Sequence, residues 1–117
     1  MSFTDSIHLL FVSLVLVAPI ACTGSSSTQV DCKTASVPKF ADMKAWDKCT
    51  SCHATTLTGA SRAGAPSDIN YDNYDDAVAD ADRAQSEVEA GAMPPGGGLT
   101  SAEREQIVVW ASCDTPQ

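Results

Sequence analysis

Two long stretches of the sequence have the composition of loops. Residues 53–70 and 92–99 are rich in Gly, Pro, Ser and Thr, residues that favour turns over helices and strands. Long segments without secondary structure are uncommon in a small domain and usually carry function or wrap around something. Aromatic residues make up only 6% of the 117 residues, so few large side chains can fill the centre. We therefore expect a bulky apolar ligand to complete the core.

The N-terminus has the composition of an export signal. Residues 7–20 read IHLLFVSLVLVAPI, an apolar run interrupted only by His8 and Ser13. This run is too short for a comfortable membrane span and is typical of the core of a signal peptide. We predict a signal peptide over residues 1–21 and an exported protein.

The residues that follow resemble the lipobox of bacterial lipoproteins. Ile20 and Ala21 precede Cys22, which would be lipidated and become the first mature residue, although Pro19 stands where a large aliphatic residue is usual. Ordinary cleavage near Ala21 and an uncleaved anchor are the alternatives. Residues 22–35 are mostly small and polar and predict a flexible tether. The resemblance implies a lipid-anchored domain on the periplasmic side of a bacterial membrane.

The charge of the chain restricts its partners. The formal net charge is −8, the isoelectric point is about 4.3, and Lys and Arg do not cluster. Nucleic acids and anionic lipid surfaces are therefore poor partners. The acidity fits either a basic partner protein or simply a well-solvated surface.

Residues 36–117 predict an all-α domain, because no stretch alternates well enough to form a strand. The first predicted helix starts in SVPKF and leads into Cys49, with Phe40, Met43 and Trp46 at i, i+3 spacing.

The second predicted helix spans residues 72–91. Asp72 or Asn73 would cap its start, and Gly91 would end it. Its expected apolar stripe consists of Tyr74, Ala77, Val78, Ala81 and Val88.

The third predicted helix starts with a capping box between Thr100 and Glu103. It precedes Cys113, and its expected buried residues are Ile107, Val108, Trp110 and Ala111.

Residues 49–53 read Cys-Thr-Ser-Cys-His, and C-x-x-C-H is the signature of c-type haem attachment. Thiols at this spacing can form thioethers with the two vinyl groups of a haem, and His53 would then ligate the iron through Nε2. The same spacing also occurs in redox dithiols and in zinc sites, which Cys32 and Cys113 could complete. Those two cysteines flank the first and last helices, a natural place for a disulfide, and export makes structural zinc less common.

A second axial ligand can be found by elimination. His8 lies in the segment that export removes, and Met43 lies on the first predicted helix. Met93 is in a loop, followed by Pro94 and Pro95, which stiffen the backbone and remove two N–H donors. We predict Met93 as the ligand; the alternative is a loop methionine that simply packs in the core.

The segments CTSCH, AGAMPP and VVWASC together resemble the class I cytochrome c family, in its small bacterial single-haem form. The resemblance covers roughly residues 38–113. It implies a cytochrome c fold over residues 36–117, with about three main helices and long loops around one haem c bound covalently through Cys49 and Cys52. In that family the first and last helices cross, which would bring Cys32 close to Cys113 for a disulfide, an addition to the family pattern.

The resemblance implies further roles around the haem. A proline carbonyl, expected on Pro66, would accept the N–H of the His53 ring. Arg62, Tyr71 and Tyr74 are candidates to hydrogen-bond the propionates; the alternative for each is an ordinary surface or core position.

These expectations lead to a function. With His53 and Met93 both on the iron, no position is open for substrate, and the sequence contains no catalytic nucleophile with its base. We expect a monomeric electron carrier, not an enzyme, with a positive potential and a redox partner protein that is basic or membrane-bound. The alternatives are a haem-based sensor or peroxidase-like module with a displaceable methionine, and a structural module held by zinc or disulfides.

Overall fold

The computed structural model describes residues 29–117, and within them the chain is helical. Four α-helices form there: α1 (Trp46–Cys49), α2 (Tyr74–Ala79), α3 (Ala81–Glu89) and α4 (Ser101–Ser112). Two short 3-10 helices lie at Phe40–Asp42 and Gly59–Arg62, and no strand forms between residues 29 and 117. The prediction of an all-α domain is therefore confirmed.

The first predicted helix is only partly formed. A single 3-10 turn at Phe40–Asp42 and the four-residue α1 replace the continuous helix, and Met43 between them is extended, with φ −83° and ψ 103°. The reason is burial: Met43, Ala45 and Trp46 are 4%, 0% and 4% exposed. Positions 43 and 45 would lie on opposite sides of a helix, so both can enter the core only if the backbone leaves helical geometry.

The second predicted helix is interrupted at Asp80. This residue ends α2 and precedes α3 with φ −108° and ψ 16°, a conformation outside the helical range. The break changes the apolar stripe, because Val78 is 37% exposed while Ala84 is buried. Asn73 provides the predicted cap, since its Oδ1 accepts a hydrogen bond from the Asp76 amide at 2.9 Å.

The third helix forms as predicted and packs against α3. Thr100 and Glu103 make the capping box, with the Thr100 amide donating to Glu103 Oε2 at 2.7 Å. The residues of α4 that are buried are Ile107, Val108, Val109 and Trp110, while Ala111 is partly buried against the core. Trp110 meets Trp46 edge to face, with ring centroids 5.3 Å apart.

A disulfide joins Cys32 to Cys113, as predicted, with their Cα atoms 5.5 Å apart. It ties the segment that precedes the 3-10 turn at Phe40–Asp42 to the residue that follows α4. Because these two sulfurs bond each other, they cannot complete a zinc site with Cys49 and Cys52, so a four-cysteine zinc site is excluded.

The predicted signal peptide over residues 1–21, the lipidation of Cys22 and most of the tether over 22–35 lie outside the described residues. The last part of that tether is described: Asp31 accepts hydrogen bonds from the Thr34 and Ala35 amides, and Cys32 is held by its disulfide. None of the helices between residues 29 and 117 has the length and apolar character needed to cross a membrane.

Candidate functional site

A cavity of about 590 Å³ brings together the residues of the predicted haem site. Cys49, Cys52 and His53 line it from one segment of the chain, and Met93 lines it from another. Its volume is within the range typical of ligand and cofactor sites in proteins. Arg62, Pro66 and Tyr71 also line it, whereas Tyr74 does not.

The two thiols and the imidazole are presented by the end of α1 and the turn that follows it. The amides of Cys52 and His53 both donate to the Cys49 carbonyl, at 3.1 and 2.9 Å, which folds the three side chains around a single turn. Both cysteines are free and half-buried. Burial raises the pKa of the Cys49 thiol to about 11, so this sulfur is neutral at physiological pH.

His53 is held at three points, two of them on its ring. Its Nδ1 lies 3.2 Å from the Ile69 carbonyl oxygen, its own carbonyl accepts from the Tyr71 amide at 2.9 Å, and its ring meets the Tyr71 ring edge to face at 5.5 Å. A carbonyl can only accept, so the Nδ1 in this contact carries the proton. In the neutral ring this leaves Nε2 with a free lone pair, as a metal ligand requires.

The carbonyl that accepts the hydrogen bond from the His53 ring is therefore that of Ile69 and not that of Pro66, the residue expected from the resemblance. Pro66 lines the cavity, but its carbonyl accepts a hydrogen bond from the Arg62 guanidinium. Ile69 could not be identified from the sequence, because its contribution comes from the backbone and any residue type could make it.

Met93 is positioned by the end of α3. Gly91 has φ 71°, a left-handed conformation that suits glycine, and it ends the helix as predicted. The amides of Gly91 and Ala92 donate to the carbonyls of Val88 and Glu87, at 3.1 and 2.9 Å, and the Met93 amide also donates to Glu87, at 3.2 Å. The backbone at Met93 is thus fixed on the helix terminus. Its side chain is 38% exposed and borders the cavity.

The other methionine between residues 29 and 117 has a different environment. Met43 is 4% exposed, belongs to the hydrophobic core and does not line the cavity. The elimination that favoured Met93 over Met43 is consistent with these two positions.

Arg62 was expected to hydrogen-bond propionates, and its surroundings argue against that role. The side chain is 4% exposed, and all five of its N–H groups point at protein acceptors. These acceptors are the carbonyls of Ala54, Leu57, Ala65, Pro66 and Ile69 and the side-chain oxygen of Asn70. With its donors occupied, Arg62 organises the 53–70 loop.

The two tyrosines differ in position. Tyr71 is 6% exposed, lines the cavity and stacks on Trp46 with ring centroids 5.1 Å apart. Burial, followed by the nearby Asp80 carboxylate, raises the pKa of Tyr71, so its hydroxyl stays protonated and able to donate. Tyr74 faces away: its hydroxyl donates to the Thr115 carbonyl at 2.8 Å, and its ring packs against Phe40. A propionate contact from Tyr74 is therefore not supported.

Three charged residues at the cavity were not identified from the sequence. Lys48, Arg83 and Glu87 line it, and the Arg83 side chain is 59% exposed in a 3.8 Å ion pair with Asp80. The spacing of Arg83 and Glu87 places both on one face of α3, but that face could be assigned only once the fold was known.

Between residues 29 and 117 there is no group of three or more His, Cys, Asp or Glu side chains suited to hold a metal ion. A haem site does not need such a group, because the porphyrin supplies four nitrogen ligands and the protein adds only one or two.

Comparisons of this chain with protein-family models, with curated protein sequences and with solved structures give no match.

Proposed function

We propose that this protein is a periplasmic electron carrier with one covalently bound c-type haem. The observation that carries the proposal is the shared cavity: both thiols of the C-x-x-C-H motif, its histidine and the loop methionine all line one space of cofactor size. Met93 is far from the motif in sequence, so the spacing within the motif does not by itself bring them together.

The chemistry of the donor set fits haem better than the other uses of C-x-x-C. A reactive dithiol needs a lowered thiol pKa, whereas burial raises the pKa of Cys49. A thioether carries no charge, so burial of its sulfur has no comparable cost. A neutral Cys49 thiol and the half-buried Cys52 beside a free imidazole nitrogen are therefore consistent with thioether attachment.

Each residue then has a role. Cys49 and Cys52 would hold the haem through thioethers, while His53 Nε2 and the Met93 sulfur would ligate its iron. When bound, the haem supplies a one-electron iron couple. The Ile69 carbonyl fixes the His53 ring, and the helix end at Gly91 fixes the backbone of Met93. Ligands held in this way change little between oxidation states, which favours fast outer-sphere transfer at the edge near the two cysteines.

The proposed location and partners follow from the sequence. A lipidated Cys22 would keep the domain near a membrane, where its redox partners would also be found. With a formal charge of −8, a basic or membrane-bound redox protein is the partner that we propose.

Attachment can be tested with protein produced in the periplasm of a bacterium that matures c-type cytochromes. We expect haem to stay with the chain through denaturing electrophoresis and acid-acetone extraction. The double variant Cys49→Ser, Cys52→Ser should lose it, and the control Ser51→Ala, a change in the same turn, should keep it. Wild-type protein that releases its haem on extraction, or never contains it, would contradict the proposal.

The glycines after Met93 favour a second candidate, a haem sensor or peroxidase-like module. Gly96, Gly97 and Gly98 all have positive φ, so the loop that carries the proposed ligand has few side chains to hold it in place. Carbon monoxide distinguishes the two. An electron carrier should not bind it in the reduced state at neutral pH, whereas a sensor should bind it and lose its methionine ligand.

A further inference from the structure

Arg62 is a buried cation without a carboxylate partner. Between residues 29 and 117 the ion pair that forms is Arg83 with Asp80, on the surface of α2 and α3. The Arg62 guanidinium is instead surrounded by backbone carbonyls and one amide oxygen. Burying a charge in this way is costly, even with its hydrogen bonds satisfied. The charge can therefore stay buried only while these acceptors remain in place around it.

One of those carbonyls connects Arg62 to His53. Ile69 O accepts from Arg62 Nη2 at 2.8 Å and lies 3.2 Å from His53 Nδ1. The Ile69 side chain is 5% exposed, and the neighbouring Asn70 accepts from Arg62 Nη1 at 3.0 Å. The guanidinium therefore holds the Ile69–Asn70 peptide group in the position where its carbonyl contacts the imidazole.

We propose that Arg62 is a positioning residue for His53. By fixing the Ile69 carbonyl, it keeps the imidazole proton on Nδ1 and leaves the lone pair of Nε2 available to a ligand in the cavity. The tautomer of a histidine is set by the hydrogen bond that its other nitrogen makes, so an arginine that fixes the acceptor also fixes the tautomer.

A second effect of Arg62 is electronic and rests on the proposed haem function. A carbonyl that already accepts from a cation is a weaker acceptor for Nδ1–H, which makes the imidazole a weaker electron donor. The buried positive charge acts in the same direction, because it disfavours the added charge of the oxidised iron. Both effects raise the reduction potential.

The variants that test this are Arg62→Gln and Arg62→Lys, with Arg83→Gln as the matched control. Arg83→Gln removes the same charge from a residue that lines the same cavity, but Arg83 is 59% exposed and does not contact Ile69. Arg62→Lys keeps the charge and loses the planar group that reaches several carbonyls at once. Circular dichroism of each purified variant shows whether it is folded.

The first readout is nitrogen NMR of His53 in the protein as purified, in the reduced, diamagnetic state if haem is present. We expect a slowly exchanging Nδ1–H in wild type and in Arg83→Gln. In Arg62→Lys its exchange should be at least tenfold faster, and in Arg62→Gln the proton should be lost from Nδ1 or exchange faster still. Wild-type exchange in Arg62→Lys would overturn the proposal, even if Arg62→Gln does not fold.

The second readout is the midpoint potential. Arg62→Gln should lower it so that the oxidised-to-reduced ratio at a fixed potential rises at least tenfold, or 59 mV for one electron. Arg83→Gln should change the ratio by less, and Arg62→Lys should stay near wild type. Equal shifts in the two glutamine variants would overturn the electronic effect. If the protein contains no haem, the proposed function fails, while the NMR measurement still decides whether Arg62 positions His53.

Discussion

Removing the disulfide between Cys32 and Cys113 should destabilise the domain strongly. The bond closes a loop with a sequence separation of 81, which restricts the unfolded chain. In the chain-entropy model a loop of this length corresponds to about 4.5 kcal/mol at 25 °C. A small domain has a total stability of about 5–15 kcal/mol, so this bond would account for a large part of it.

The assay is guanidinium denaturation at pH 7 of the double variant Cys32→Ser, Cys113→Ala. Alanine suits position 113 because that residue is 4% exposed and a serine hydroxyl would be buried there. Changing both cysteines avoids a lone thiol. We expect the free energy of unfolding to fall by about 4.5 kcal/mol, and the slope with denaturant to increase because the unfolded chain exposes more surface.

The control separates the cross-link from packing. Wild-type protein kept reduced with dithiothreitol throughout the titration retains both cysteine side chains and loses only the bond. Its stability should fall to that of the double variant. A loss below about 1 kcal/mol in both preparations would refute the assignment of the disulfide as a main source of stability.

Three further outcomes follow from single side chains. Met93→Ala should remove the methionine–iron absorption band at the red edge of the visible spectrum and lower the reduction potential. Met43→Leu, a change in the core, should leave both the band and the potential unchanged. An unaltered spectrum in Met93→Ala would disprove the assignment of Met93 as an iron ligand. Desolvation acts to raise the pKa of Asp72, but hydrogen bonds from Thr55 hold this pKa below its ordinary value. The ionised Asp72 carboxylate therefore stabilises the fold fully at neutral pH, and this stabilisation is lost as the pH falls through the folded pKa. Asp72→Asn and Thr55→Val should therefore each flatten the acid dependence of the unfolding free energy, and an unchanged acid profile would contradict this. Thr100→Ala should cost about 1 kcal/mol in thermal or chemical denaturation by removing the cap of α4, and a loss near zero would show that the cap contributes nothing.

Local signals in the sequence predicted the ends of helices well. Thr100 and Glu103 satisfy each other's donors and acceptors, and Gly91 can adopt a left-handed conformation. Both signals depend only on residues that are close in sequence. The clustering of the motif cysteines with His53 follows from a single turn for the same reason.

Breaks and backbone contacts were not predictable in this way. The i, i+3 spacing from Phe40 to Trp46 fits a helix, but the demand to bury Met43 and Ala45 together comes from the rest of the core. Similarly, the Ile69 carbonyl meets both Arg62 and His53 only in the folded loop. Such contacts depend on the tertiary structure, and the residue types involved carry no sign of them.

The most direct measurement of the central claim is the absorption spectrum of the purified protein before and after dithionite, with iron and zinc determined on the same sample. The proposal predicts one iron per chain, sharp bands on reduction and a pyridine haemochrome of the c type. A sample without these bands that contains zinc and no iron would contradict the haem assignment and, with it, the proposed electron transfer.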